Sequence, residues 1–178
     1  MTGKQARHTW AFRARFRRSA FGWRSSRLAI ERIGEALAEI RQVHRYDPLL
    51  AAEGAVLLLE KLSPAICEVD SSSGALGNAT HGAAHTLADL IAAAPASPSE
   101  RQGWLERLYE ALELDDPPYL EALGQRWGDL CATAAIASDW ADMLLPVLER
   151  VVEERRAGRF AYARGTSACY SALLKAGR

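Results

Sequence analysis

Two histidines carry the first hint of chemistry. His81 and His85 stand four residues apart in a stretch, 75–94, whose apolar residues recur with helical period, so both imidazoles fall on one face as in zinc sites. Asp89 continues the stripe, but eight residues span about 12 Å of helix, too far for His81 and Asp89 to share an ion. A third ligand would have to be Cys67 or Asp70 from the preceding segment. Gly82 stands where the HExxH motif has its glutamate, so the general base of that protease class is missing. The spacing is read as two histidines on a helix surface, His85 within reach of Asp89, and no metal or other cofactor is expected.

Cys67, Asp70, Ser71, Ser72, Ser73 and His81 would supply nucleophiles and a base, yet no GxSxG elbow or comparable signature frames them. SSSGALG also lacks the lysine and the glycine density of a phosphate-binding loop. The segment reads as a turn whose aspartate and serines satisfy helix ends. Cys131 and Cys169 lie on apolar faces as small core residues. No catalytic residue is assigned, and an enzyme is not expected.

The third candidate is an arginine-rich beginning. Residues 1–30 hold Lys4, Arg7, Arg13, Arg15, Arg17, Arg18, Arg24 and Arg27 and no acid, and residues 155–178 hold six cations and no acid. The formal net charge is nevertheless zero, because the middle of the chain is strongly acidic. Such an arrangement points to an anionic partner at the ends or to pairing between ends and body. Between the arginines stand Trp10, Phe12, Phe16 and Trp23. As a nucleic-acid arm, guanidinium groups would meet phosphates and aromatics would stack on bases. As a structural element, residues 4–20 would form a helix with Trp10, Arg13 and Arg17 near one side and Phe12 and Phe16 on another, its aromatics docked on the acidic body.

These groups must be positioned by helices. Ala, Leu, Glu and Arg dominate while Val, Ile and Thr are sparse, a bias that favours helix. An amphipathic helix over 27–44 carries Leu28, Ile33, Leu37, Ile40 and Val43. Asp47-Pro48 opens a helix to about Leu62 that is apolar on much of its circumference, with Leu50, Val56, Leu57, Leu58 and Leu59, and Ser63-Pro64 restarts or kinks it. Ser73 is the expected N-cap of the helix over 75–94. Pro95 to Pro98 is the clearest linker. Ser97 and Glu100 form a capping box for a helix with Trp104, Leu105, Leu108 and Leu112. Asp115 to Pro118 ends it and caps one with Tyr119, Leu120, Leu123, Trp127 and Leu130. Thr133 or Ser138 starts another, in which Pro146 is a kink or a first-turn residue. Thr166 caps a last helix with Cys169, Tyr170, Leu173 and Leu174, stopped by Gly177.

The fold class is therefore all-α, with seven to eight antiparallel helices in a bundle or a solenoid-like helical repeat. The chain divides into a basic arm (1–24), a central helical unit (25–95) and C-terminal helical pairs (96–178) within one compact domain. At 178 residues, 49% hydrophobic and 25% charged, it is long enough to bury a single core. No apolar run reaches membrane-spanning length. The N-terminus lacks the apolar core of a secretory signal, although it is arginine-rich and acid-free like a mitochondrial transit peptide. Three cysteines without a CxxC pair suit a reducing cytoplasm.

The stretches WRSSRL (23–28), KLSPAICEVDSSSGALG (61–77), WLERLYEAL (104–112), SDWADMLLPV (138–147) and GTSACYSALLKAGR (165–178) resemble an uncharacterised family of bacterial all-helical proteins with tetratricopeptide- or HEAT-like repeats. The resemblance implies a helical-repeat fold and carries no activity with it. It also implies a further helix after the last one here, so the C-terminal helix is expected to present an apolar side in need of a cover. The function expected is a non-enzymatic protein-interaction module, binding a protein partner or itself through apolar helix faces. The alternative is nucleic-acid binding through Trp10, Arg13, Arg15, Arg17, Arg18, Trp23, Arg24 and Arg27, because Trp and Arg dominate contact hot spots.

Overall fold

A computed structural model describes residues 8–178; residues 1–7, with Lys4 and Arg7 of the basic arm, lie outside the described residues. The described residues form eight α-helices and no strand. They are α1 (Ser26–His44), α2 (Pro48–Ile66), α3 (Ala75–Ala93), α4 (Pro98–Glu113), α5 (Glu121–Gln125), α6 (Trp127–Cys131), α7 (Ala134–Arg156) and α8 (Gly165–Ala176).

Helix α2 is the centre of the packing. It touches α1, α3 and α4, while α1 also packs on α3. A run from Ala51 to Ile66 that is rich in alanine, glycine and aliphatic residues leaves α2 buried on most sides. Asp47 accepts the Leu50 N–H at 2.9 Å as its N-cap, with Pro48 in the first turn. The helix runs on through Pro64 to Ile66 without a restart. In α1 the buried residues are Ala29, Ile33, Ala36, Ile40 and Val43, whereas Leu28 is exposed. These five recur at three- to four-residue steps and make up the inner face, and Leu28 falls beside it.

The second half is built on α8, which contacts α5, α6 and α7. The capping box at α4 forms as its sequence requires, Ser97 and Glu100 each bonding the other's backbone N–H at 3.3 and 2.9 Å. Thr133 caps α7 through the Ile136 N–H, and α7 continues through Pro146. The N-cap of α3 is Gly74 at φ +72°, not Ser73, whose hydroxyl accepts the Ala75 N–H instead. A single helix over 119–130 does not form. Ser171 of α8 inserts there, donating to the Gln125 carbonyl at 3.0 Å and accepting the Gly128 N–H at 2.8 Å, and the helix splits into α5 and α6. Gly128 permits the approach, since a Cβ there would lie 2.5 Å from the Ser171 carbonyl oxygen.

One hydrophobic cluster runs from Trp10 through α2 to Ala172 of α8. Trp127 and Trp140, with Tyr109, form its aromatic end, their ring centroids 5.1–5.9 Å apart. Cys131 and Cys169 are buried free thiols, and burial pushes Cys131 up to about 12. Arg101 is 3% exposed and donates to the carbonyls of Ile91 (3.0 Å), Ala94 (2.6 Å) and Leu130 (3.0 Å). Its guanidinium thus closes the C-terminal ends of α3 and α6, where helix carbonyls run out of intrahelical partners and the helix dipole favours a cation.

Candidate functional site

The basic arm is a strap rather than a helix. Only Ala11–Ala14 coil, as a single 3₁₀ turn. The reason is the spacing of the aromatics. Trp10 and Phe12 would point to opposite sides of an α-helix, yet Trp10, Phe12, Phe16 and Phe21 are all buried. They pack in series, with centroids 5.4, 6.4 and 5.7 Å apart. The strap's backbone finds partners on the two helices it crosses. Glu39 of α1 accepts the N–H groups of Ala11 (2.8 Å) and Phe12 (3.3 Å), and Ser19 and Phe21 donate to the Pro64 and Ala65 carbonyls at the end of α2. Trp10 lies against Gly54 of α2, where a Cβ would fall 2.2 Å from the indole Cζ2.

This placement divides the contact residues expected from sequence. Trp10 is 5% exposed and belongs to the core, so it offers no partner surface, whereas Trp23 is 67% exposed. Arg15 pairs with Glu35 at 2.5 Å, beside an Arg32–Glu35 pair at 2.6 Å. The Arg32 guanidinium holds the Glu35 carboxyl below the usual carboxylate range. Arg13, Arg17, Arg18, Arg24 and Arg27 are exposed and, among the described residues, have no carboxylate partner. Arg17 instead donates to the Ala14 carbonyl. Together they place Trp23 and five guanidinium groups along the outside of the strap and the start of α1.

A cleft of about 670 Å³ opens between α2 and α4, lined by His8, Asp47, Leu50, Glu53, Trp104 and Arg107 among others. Sequence reading passed over its central feature, a network joining the two helices. Arg107 grips Glu60 with Nε and Nη2 at 2.8 and 2.7 Å and Glu53 with Nη1 at 2.6 Å, while the Trp104 indole donates to the other Glu53 oxygen at 2.6 Å. Glu53 and Glu60 on α2, and Trp104 and Arg107 on α4, stand at helical spacing on facing sides, which is the only sequence signal. Asp47 and Glu100, also at the cleft, are occupied as helix caps. The cleft's carboxylates therefore hold the fold, and its ionic groups are already satisfied.

Segment 70–74 is the turn its composition suggests. Asp70 accepts the Ser72 N–H at 2.9 Å, which lowers its pKa, and the Cys67 thiol donates to the Pro64 carbonyl. His81 and His85 meet on α3 with their Nε2 atoms 3.1 Å apart. Asp89 does not reach His85; it pairs with Arg126 at 2.7 Å. Among the described residues, no cluster of three His, Cys, Asp or Glu side chains could surround a metal ion. No described helix is long and apolar enough to cross a membrane.

At the far end, α7 packs chiefly on α8, and also on α6. On this hairpin and its connecting loop, Met143, Phe160, Tyr162, Tyr170 and Leu174 are exposed, Phe160 to 95% and Leu174 to 78%. Tyr170 and Leu174, one helical turn apart, share an exposed face of α8. The inward face belongs to Gly165, Ala168, Cys169 and Ala172, whose small side chains admit α5, α6 and α7 at close range. Comparisons with protein families, curated proteins and solved structures found no match.

Proposed function

We propose that this chain is an all-helical protein-interaction module, working in a bacterial cytoplasm, whose docking surface is the α7–α8 hairpin. The observation that carries the reading is the set of large apolar side chains left exposed there, above all Phe160, Tyr170 and Leu174. Scattered exposed apolar residues are ordinary, but several on one hairpin at the edge of the fold mark an association surface. The resemblance to helical-repeat proteins agrees with it, and the buried free thiols Cys131 and Cys169 suit a reducing compartment. The partner is a protein, a second copy of the chain included. Light scattering across concentration should show a dimer or larger species that survives high salt, and Tyr170→Glu with Leu174→Lys should abolish it. A strict monomer that also binds no hydrophobic dye would overturn the reading.

The five arginines without carboxylate partners and the exposed Trp23 favour a second reading, nucleic-acid binding on the outer side of the strap. With all five on phosphates, the logarithm of affinity for duplex DNA should fall with the logarithm of salt at a slope of about −4.5. A flat salt response would exclude it.

A further inference from the structure

The mutual geometry of His81 and His85 goes beyond a pair of surface residues. Their rings are 4.5 Å apart between centroids and steeply inclined at 73°, and the two Nε2 atoms face one another across 3.1 Å. A borderline divalent ion bonds imidazole nitrogen at about 2.0–2.1 Å. Two such bonds closing on a 3.1 Å separation subtend about 95–100° at the metal, between the octahedral and tetrahedral angles. Without an ion the contact is a hydrogen bond in which one Nε2 donates and the other accepts, and exchanging that proton for a metal would bring both nitrogens into a bidentate chelate. α3 is a 19-residue helix whose inner face is fixed by Leu76, Ala83, Ala84, Leu87 and Ile91, so the separation is held by a rigid element.

The surroundings leave room for an ion with an open coordination sphere. His81 is exposed, and a Cβ on the neighbouring Gly82 would meet nothing within 4 Å. Asp89 is engaged by Arg126 and does not compete for either imidazole. With Gly82 in place of a glutamate, no general base stands at that position of the motif, so the arrangement suits binding rather than hydrolysis.

We propose that His81 and His85 form a surface chelate for a borderline divalent transition metal, with water completing its coordination. Imidazole nitrogens select copper(II), nickel and zinc over calcium and magnesium, with copper(II) bound most tightly of the three.

The test uses the full chain and the metal salts alone. Calorimetric titration with zinc, nickel and copper(II) should give one ion per chain, with no heat from magnesium or calcium. A bound ion should also raise the melting temperature progressively with its free concentration. His81→Gln and His85→Gln should each weaken binding by at least the roughly 10–100-fold seen on loss of supporting groups in metal sites, and the double variant should lose both binding and the melting shift. Asp89→Asn should bind as the parent does. Circular dichroism checks that each variant folds, as expected with His81 exposed and His85 half-buried. Absence of binding by all three ions, or binding that survives the double substitution, would overturn the proposal.

Discussion

Replacing Gly54 by alanine sets two effects of opposite sign against each other. In a helix interior, glycine to alanine ordinarily stabilises by about 0.5–1 kcal/mol, because the chain loses less backbone entropy on folding. Here the new methyl would sit 2.2 Å from Cζ2 and 2.5 Å from Cη2 of Trp10, well inside contact distance. The indole cannot tilt freely, since Phe12 packs on one side and His8 on another. Overpacking of this kind costs about 1–3 kcal/mol, so Gly54→Ala should destabilise by about 1 kcal/mol. Trp10→Ala empties the same space and should cost about 3–5 kcal/mol. Introduced together with Trp10→Ala, the Gly54→Ala change should recover its ordinary stabilising sign, giving a coupling of about 2 kcal/mol between the two sites. Urea denaturation followed by circular dichroism reads this as a midpoint shift that reverses direction between backgrounds. If Gly54→Ala stabilises equally with the indole present and with it removed, the strap is not seated on α2 and the account of the arm fails.

Three further perturbations test the interior. Arg101→Met removes the guanidinium shared by the Ile91, Ala94 and Leu130 carbonyls and should cost about 3 kcal/mol, a melting shift of roughly 6–12 °C; Arg101→Lys should restore little, because a point charge cannot span two helix ends. Ser171→Ala strands the Gly128 N–H and the Gln125 carbonyl and should cost about 1–3 kcal/mol by thermal denaturation, while Ser171→Thr retains the hydroxyl and should cost less if the extra methyl fits. Asp115 is buried, and burial raises its pKa above the usual carboxylate value despite its 2.6 Å bond from the Leu120 N–H. A raised folded-state pKa means the acid's contribution is full below the unfolded value and is lost as pH rises through the folded one. The stability of the parent relative to Asp115→Asn should therefore decline from acid toward neutral pH, and a rise would show that the carboxylate is held charged.

Local chemistry made much of the fold legible, although neither Ser73 nor Thr166 is the N-cap of its helix. Asp47, Ser97 with Glu100 and Thr133 cap helices through short-range bonds that their positions dictate. Trp104, Trp127 and Trp140 lie in the core because nothing but burial suits them at those helical positions. The larger departures involve a partner distant in sequence. Trp10 and Phe12, two residues apart, cannot share one face of a helix, whereas a strap lets Trp10, Phe12, Phe16 and Phe21 all pack into the core. The 119–130 helix breaks because a serine more than forty residues away supplies better partners at the break. Arg101 falls on the same face as Trp104, Leu105 and Leu108, and a cation at such a place is a signal for buried carbonyls that periodicity by itself reads as noise.

The charged ends meet two different fates, and the difference sets how the arm must be tested. Arg15, Arg159, Arg164 and Arg178 pair with Glu35, Glu154, Asp116 and Asp142 of the acidic body. Exposed pairs contribute only about 0–1 kcal/mol each, whereas burying each large aromatic of the strap contributes about 1.5–3 kcal/mol. The strap is thus held by apolar contact and should stay docked in high salt. Deleting residues 1–22 would strip Trp10, Phe12, Phe16 and Phe21 from the core, so any loss of binding would report unfolding as readily as lost phosphate contacts. Replacing Arg13, Arg17 and Arg18 by serine avoids this, because these side chains are exposed and have no carboxylate partner among the described residues. Surface changes of that kind alter stability by about 0.5 kcal/mol or less. If the strap binds nucleic acid, the triple variant should keep its melting temperature while the salt slope of binding to duplex DNA shrinks by about 2.7. An unchanged slope in a folded variant would remove the arginines of the strap from the contact.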